Sequence, residues 1–481
     1  MKLDPLRTLT KRDYALLTPG RRELYVETQW GSQRFAGKRD IEAALMKLKG
    51  FTCYVRGGLQ QLRHTTGALS WVLTSWRGRD VNMIHVPSGV KVTSLRSTLD
   101  NQETAFSDLS ECLTWLRGYG VAPAAISSMS WQLLRASLNH TVSIYADPDI
   151  VSPAFFGGRQ GIENPTTYRN MKSIDIRAAY PTAMARLPVA LSLRSVDPST
   201  ELDPNEAGLA KATVIVPKSL PYPPLPVRVH ETAIQFQWGQ IEGTWTWCEL
   251  DAAKKLGCDV TIHESYAPRR SLDLFGTWWD IAQTGRSLSP SAANLAKAVA
   301  NSTWGQFAMR GEERTEVHWS DERGENPYVV DLGARSMPHE WTLHIATEIT
   351  SRVRVQTLTE GLYSVNVPVV HTDTDGIIVD GSITTNAYFG SNFGQWQIKE
   401  SMKVVEIRAP QFYRYQTDAD DQWQYVASGM SKWQAAETFR RQLQSSHVSY
   451  LADDMTLPPG DSNDEARIAA LLAEAKSLLI A

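Results

Sequence analysis

Two carboxylates, Asp373 and Asp375, sit between apolar β-branched runs in Val369-Val370-His371-Thr372-Asp373-Thr374-Asp375-Gly376-Ile377-Ile378-Val379. Side chains two apart share one face of a strand, and two like charges that close repel unless a cation lies between them. The pattern predicts two strands joined by a tight turn, a candidate hairpin for a divalent metal. Asp is also a favoured turn residue, so the same tripeptide alone describes a solvated β-turn as well.

Two other stretches bear on the choice. In Ser173-Ile174-Asp175-Ile176-Arg177-Ala178-Ala179-Tyr180-Pro181-Thr182-Ala183-Met184 a short apolar strand delivers a carboxylate, and Pro181 opens what reads as a helix. In Lys297-Ala298-Val299-Ala300-Asn301-Ser302-Thr303-Trp304-Gly305 helical spacing puts Lys297, Asn301 and Trp304 on one stripe, which gathers a cation, an amide and an aromatic.

Taken together, the three stretches resemble, in order, the polymerase signatures of family B DNA polymerases. Asp175, Tyr180, Pro181 and Thr182 match the pattern Asp-x-x-Ser-Leu-Tyr-Pro-Ser, and Lys297, Asn301, Ser302 and Gly305 match Lys-x-x-x-Asn-Ser-x-Tyr-Gly, with Trp304 replacing the tyrosine. Asp373, Thr374 and Asp375 match Tyr-x-Asp-Thr-Asp-Ser, with His371 and Gly376 at its ends.

The resemblance implies an α/β (α+β) right hand of palm, fingers and thumb, with the palm an antiparallel sheet backed by helices. It implies a palm over residues 160–215 and 340–415, an insertion over 216–270, fingers over 271–312 and a thumb over 416–481, so that residues 151–481 form the polymerase part. Residues 1–150 take the place of a proofreading exonuclease of ribonuclease H-like fold. Its acidic motifs are degenerate here: Tyr25-Val26-Glu27 lacks the leading carboxylate, Arg56-Gly57-Gly58-Leu59-Gln60-Gln61 offers an amide, and Asp108 is the remnant of a third. A two-metal hydrolytic site cannot lose half its anionic ligands and hold both cations, so this domain is expected not to edit. An unrelated N-terminal α/β domain is the other reading of the same residues.

Composition narrows the rest. With 481 residues, 42% of them hydrophobic, and a formal net charge of -3, the chain is long enough for several subdomains and is not a globally basic DNA-coating protein; any nucleic-acid footprint must be local. Four cysteines, Cys53, Cys112, Cys248 and Cys258, are too dispersed for a paired zinc site and read as reduced thiols. No run approaches the ~18 apolar residues of a membrane span and Met1-Lys2-Leu3-Asp4-Pro5 lacks an apolar signal core, which predicts a soluble cytoplasmic protein.

Along the chain, Leu24 to Thr28 and Phe51 to Val55 read as strands, residues 108–117 and 130–138 as helices, residues 243–250 as a strand before a helix over 251–256, residues 274–310 as two helices split at Ser287-Leu288-Ser289-Pro290-Ser291, and residues 340–359 as one helix. Residues 311–340, charged and turn-rich, read as a second small insertion, residues 394–400 and 404–407 as separate strands, and residues 433–481 as two short helices. Phe155, Gly157, Gly158 and Arg159 resemble the Tyr-x-Gly-Gly segment of the protein-primed branch, which contacts template DNA; an interdomain turn is the plainer reading. Gln411 and Tyr413 occupy the place of a Lys-x-Tyr primer grip, and Lys432 that of the lysine that opens the thumb.

What the resemblance implies for chemistry is phosphoryl transfer to a 3′ hydroxyl. Asp175 and Asp375 would bridge two Mg²⁺ ions, with Mn²⁺ an alternative, the Ile176 carbonyl would complete the nucleotide-side ion, and Asp373 would tune the site. Lys297, Asn301, Tyr180 and Trp304 would receive the dNTP, with Arg286 either a further triphosphate contact or an ordinary surface arginine. Expected partners are primer-template DNA, dNTPs and a terminal priming protein, the chain acting as a monomer in the cytoplasm of the host of a phage or plasmid. Two rival readings are a primer-independent polymerase-primase and a catalytically silent DNA-binding replication factor.

Overall fold

The strand Thr167–Ile176 alternates apolar residues between two faces and ends in Asp175-Ile176, and the main sheet is built around it. In the computed structural model, residues 2–427 are described apart from 4–12, 20–22, 50, 56–61, 63–64, 66–70, 78–79, 89, 95–105, 140, 230–233, 309–312, 321–326 and 335–341, together with 436, 438 and 439. Seven antiparallel strands run in the order Arg159–Ile162, Val369–Thr374, Gly376–Asp380, Thr167–Ile176, Trp396–Ala409, Phe412–Thr417 and Gln424–Ala427.

Period-two alternation gives this sheet two apolar faces. Ile174, Ile176, Ile377, Val379 and Trp396 pack on one side with Val353, Leu358 and Leu362, while Met171, Val370, Ile378, Met402, Val405 and Ile407 gather on the other. The helix Leu343–Gln356 lies under the first face as expected, and its last turn continues into a π-helix over Thr357–Leu362. The expected strands at 394–400 and 404–407 are one long strand, bulged where it pairs with Ser173 and Ile174.

The N-terminal sheet has nine strands, in the order Pro327–Ala334, Glu313–Trp319, Trp71–Arg77, Asp80–His85, Val90–Ser94, Thr52–Val55, Tyr14–Pro19, Glu23–Thr28 and Gly31–Ala36. Tyr14–Pro19, Thr52–Val55 and Val90–Ser94 run parallel, and the other pairs are antiparallel. The order Gly31–Ala36, Glu23–Thr28, Tyr14–Pro19, Thr52–Val55, Val90–Ser94, with its parallel half, is the arrangement expected of a ribonuclease H-like domain. Parallel strands are covered on both faces and so read as continuous apolar runs, which explains Tyr14-Ala15-Leu16-Leu17. Ala15, Leu17, Cys53 and Val55 face the helix Lys38–Lys47, whereas Tyr14, Leu16 and Tyr54 face the helices Phe106–Gly118 and Ile126–Ala136. The charged segment after residue 310 joins this sheet as its outer hairpin, pairing Val317 with Leu73.

Those two helices share a core with the fingers helix Pro290–Phe307, through Leu113, Leu116, Leu133, Leu295 and Val299. The expected split is present as the helix Gly276–Thr284, a 3₁₀ turn Gly285–Ser287, and Pro290 at the first position of the long helix. Its N-terminus is held from the N-terminal region: the Ser289 amide donates to Glu111 Oε1 at 3.2 Å and its hydroxyl to Asp108 Oδ1 at 3.2 Å.

Residues 188–273 form a four-stranded sheet, ordered Pro188–Val196, Asp259–Asp273, Leu209–Val216 and Gly239–Thr246. The helix after it begins at Trp247, several residues earlier than the sequence pattern suggested, because Thr246 and Glu249 form a capping box. Glu249 also pairs with Arg354, whose Nε lies 2.9 Å from Glu249 Oε1 with both side chains buried. The same guanidinium donates from Nη1 to the Phe156 and Gly157 carbonyls at 2.7 and 2.8 Å, so one buried arginine ties helix, insertion and the Gly157-Gly158 segment together.

Residues 412–427 extend the main sheet, where Phe439 packs at 4.4 Å between ring centroids on Phe412. The expected thumb helices over 433–481, apart from 436, 438 and 439, lie outside the described residues, as do Lys432 and Gln60-Gln61.

Removing one partner of a buried ion pair strands the other. Arg354→Met should therefore lower the unfolding free energy by about 3 kcal/mol or more in urea denaturation, with Glu249→Gln costing less.

Candidate active site

The sheet register brings the two acidic stretches together. Asp175 sits opposite Gly376, the amide of Ile176 donates to the Asp375 carbonyl at 2.9 Å, and Asp373 sits opposite Gly376 across the hairpin turn. The turn is a two-residue loop, Thr374 and Asp375: Thr374 takes φ of 63°, and its carbonyl accepts from the buried Thr357 hydroxyl at 3.0 Å. Thr357 opens the π-helix, so the irregular turn supplies the clamp for the hairpin tip. Among the described residues four non-glycines have positive φ, and three of them, Ala178, Thr374 and Gln411, flank this site. Such strain persists only where surrounding structure enforces it.

Electrostatics follow from the convergence. Burial, then the charge of Asp175, pushes the Asp375 carboxyl up to about 6, with Asp373 adding to the rise. An acid held above its ordinary range by neighbouring acids is a site short of positive charge. Each Asp175 oxygen has a partner: Gln397 Nε2 donates to Oδ1 at 2.8 Å, and Lys399 Nζ lies 3.4 Å from Oδ2. Gln397 in turn accepts from Arg177 at 2.6 Å. Asp373 turns aside, accepting from Gln411 Nε2 at 2.6 Å and from the Thr374 hydroxyl at 3.3 Å. The Gln411 amide donates to Nε2 of buried His371 at 3.4 Å, and the His371 ring meets Tyr413 edge-on with centroids 5.0 Å apart.

Among the described residues no three His, Cys, Asp or Glu side chains converge as a complete metal cage. That suits Mg²⁺, which takes one or two carboxylates and fills its octahedron with water and substrate phosphates. Asp175 and Asp375 are the two carboxylates that could hold such an ion, since Asp375 stays raised by burial and by Asp175 even with Lys399 beside them.

Above the carboxylates lies a cationic wall. Lys297 is exposed, yet partial loss of water lowers its pKa; Arg286, Lys399 and Arg177 lower it further, while Asp175 opposes them. Four cations within mutual reach repel, and a polyanion relieves them. Arg286 stacks at 4.4 Å over the Phe393 ring, and burial lowers its pKa. Tyr180 and Trp304 stack face to face, 4.2 Å between centroids and 12° between planes. Burial, then Asp375, raises the Tyr180 hydroxyl. The Asn301 amide oxygen is buried without a partner among the described residues.

The Phe155 to Arg159 segment lies beside the hairpin and differs from the expected DNA contact in one respect. Gly157 is exposed and Gly158 abuts Thr374, where an added Cβ would come within 2.6 Å of the threonine side chain. Phe155 packs into the interior and its carbonyl accepts from Arg228. Arg159, however, is buried: it donates to the Pro223 carbonyl at 2.8 Å, stacks at 4.0 Å on Phe236, and burial lowers its pKa to about 10. Its charge is turned inward, because a strand position facing the insertion leaves it no route to solvent. Sequence reasoning missed Arg177, Gln397, Lys399, Thr357 and Arg354. The first was signalled by its place directly after Asp175-Ile176; the others carry no motif.

Comparison with known proteins points the same way as the motifs. A family described as DNA polymerase type B, organellar and viral, matches residues 125–340, a span that contains Asp175, Tyr180, Lys297 and Asn301 and stops short of the Asp373 hairpin. The chain shares the fold of Phi29 DNA polymerase in complex with primer-template DNA and incoming nucleotide, with a TM-score of 0.63 at 11% identity over 89% of this chain and 94% of that one. Phi29 DNA polymerase with primer-template DNA alone gives 0.59 at 12% identity, over 90% and 94%. No curated protein sequence matches the chain. The family match and the shared fold agree with the resemblance to family B DNA polymerases drawn from the three motifs. Among the described residues no helix is long and apolar enough to cross a membrane.

The raised Asp375 carboxyl has a consequence for stability. Its folded value lies above the ordinary 3.8, so the penalty is absent below about pH 4 and grows as pH rises through 6. In metal-free protein Asp375→Asn should gain about 1 to 2 kcal/mol over wild type near pH 7, read by thermal unfolding, and the gain should vanish by pH 4.

Proposed function

We propose that this chain extends the 3′ hydroxyl of a primer on a DNA template, drawing on dNTPs, with Asp175 and Asp375 holding two Mg²⁺ ions for which Mn²⁺ can substitute. The observation that carries this reading is the register pairing of Asp175 with the Asp373–Asp375 hairpin beneath a cationic wall that includes Lys297. Divalent ions bound there would lower the pKa of the attacking hydroxyl and neutralise the triphosphate and its pyrophosphate leaving group.

The chain's own groups do the rest. The Ile176 carbonyl, at the end of the same strand, joins the two carboxylates. Lys297 and Arg286 offset charge that builds on the phosphate oxygens, and the orphaned Asn301 oxygen awaits a donor from the substrate or a bound water. Stacked on Trp304, the Tyr180 ring forms a floor that leaves a 2′ hydroxyl no room. Asp373, held by Gln411, shapes the primer end instead of gripping an ion, and Tyr413 lines the same strand. Gly157 and Gly158 let the template backbone pass close to the hairpin, with Arg159 supporting them from below.

The residues 1–150 guide DNA without editing it. Tyr14–Pro19, the strand flanked by both halves of that sheet, contains no carboxylate, Glu27 lies on its antiparallel neighbour, and Asp108 is committed to Ser289. Priming by a terminal protein, with the insertion over 216–270 as its contact, completes the reading, together with a monomeric state in the cytoplasm of a host cell.

Purified protein with Mg²⁺, dNTPs and a primed template should extend the primer, and Asp175→Ala and Asp375→Ala should each lose about a thousandfold or more, with Asp373→Asn milder. Mismatched 3′ ends should stay untrimmed. Failure on every primed template, or Mg²⁺-dependent trimming that survives Asp375→Ala, would contradict the corresponding part.

A further inference from the structure

One cation of the wall sits at an irregularity in the strand pairing. The strand Trp396–Ala409 pairs Gln397 with Asp175 and Ile398 with Ile174, then Glu400 with Ser173, so Lys399 has no residue opposite it. It is the extra residue of a bulge, and two residues after Gln397 it lies on the same face of the strand. From that face the Lys399 ammonium lies 3.4 Å from Asp175 Oδ2 while Gln397 holds Oδ1, so each carboxylate oxygen has a polar neighbour from the same strand.

We propose that Lys399 is a resident counter-ion of the reaction site: it occupies the Asp175 oxygen that a divalent ion needs, and its displacement sets how much divalent cation the chain requires. The inference rests on the reading of Asp175 as a metal ligand. Three observations support it. The Lys399 side chain is 62% exposed, so the pair contributes little to stability and is cheap to break. The oxygen it takes is on the carboxylate that lies in register with the hairpin, where a shared ion would sit. And the stem is flexible and anchored at the rim, so the displaced ammonium stays in the cleft with Arg177, Arg286 and Lys297, where a triphosphate gives it a new partner.

The test is Mn²⁺ binding to the full chain without DNA or nucleotide, read as loss of the free-ion paramagnetic resonance signal. Lys399→Gln should bind Mn²⁺ about three- to tenfold more tightly than wild type, the range expected when an exposed ion pair no longer competes. Lys399→Arg, which keeps the charge, should stay within about twofold of wild type, and Asp175→Ala should abolish the site in either background. Equal or weaker binding by Lys399→Gln, with the site still lost in Asp175→Ala, overturns the counter-ion role alone. Binding that survives Asp175→Ala overturns the ligand reading beneath it.

Discussion

The structure depends on holding two like charges in register. Antiparallel pairing of Thr167–Ile176 with Gly376–Asp380 sets Asp175 beside the hairpin that carries Asp375, and the interstrand spacing of ~4.8 Å leaves the carboxylates no way to separate without breaking the ladder. Repulsion of that kind costs free energy, and the surroundings offset it. Apolar packing on both faces of the sheet fixes the strands, Thr357 fixes the turn, and positive φ at Ala178, Thr374 and Gln411 is tolerated because each is anchored by its neighbours. The same rigidity holds the carboxylates beside Lys297, Arg286, Arg177 and Lys399, so charges of both signs are fixed within reach of one another.

A second layer transmits that rigidity across the chain. Arg354 joins the helix beneath the sheet to the insertion through Glu249 and to the glycine segment through two carbonyls, and the glycine segment leans on Thr374 at the hairpin tip. On the other side Asp108 and Glu111 from the N-terminal region hold Ser289 at the start of the helix Pro290–Phe307, so the lysine it carries is positioned partly by residues far earlier in the chain. An acidic residue that reads as a catalytic remnant thus serves as a structural partner for the helix that carries Lys297.

Much of this was legible in the residues. The strand to Asp175, the Asp373 hairpin and the Lys297 helix each declare themselves by periodicity, by a turn or by proline at a helix start, and their common order specified the fold. What was hidden depends on contacts that local pattern does not encode. Lys399 looks like one more exposed residue of an alternating strand until the sheet register sets Asp175 beside it. Arg159 looks like a phosphate ligand because arginine beside glycines suggests one, yet the insertion covers it. Trp247-Cys248-Glu249-Leu250 alternates like a strand, but the Thr246 and Glu249 cap starts a helix there. And the hairpin Glu313–Trp319 with Pro327–Ala334 completes a sheet whose other strands are all N-terminal, a pairing set by tertiary packing alone.

Anomalous scattering from Mn²⁺ in crystals of the chain with primer-template DNA and a non-hydrolysable dNTP addresses the central claim most directly. The account predicts two peaks between Asp175 and Asp375, with the triphosphate on the Lys297 face of the fingers helix. Peaks elsewhere, or a triphosphate bound away from both carboxylates, would contradict it.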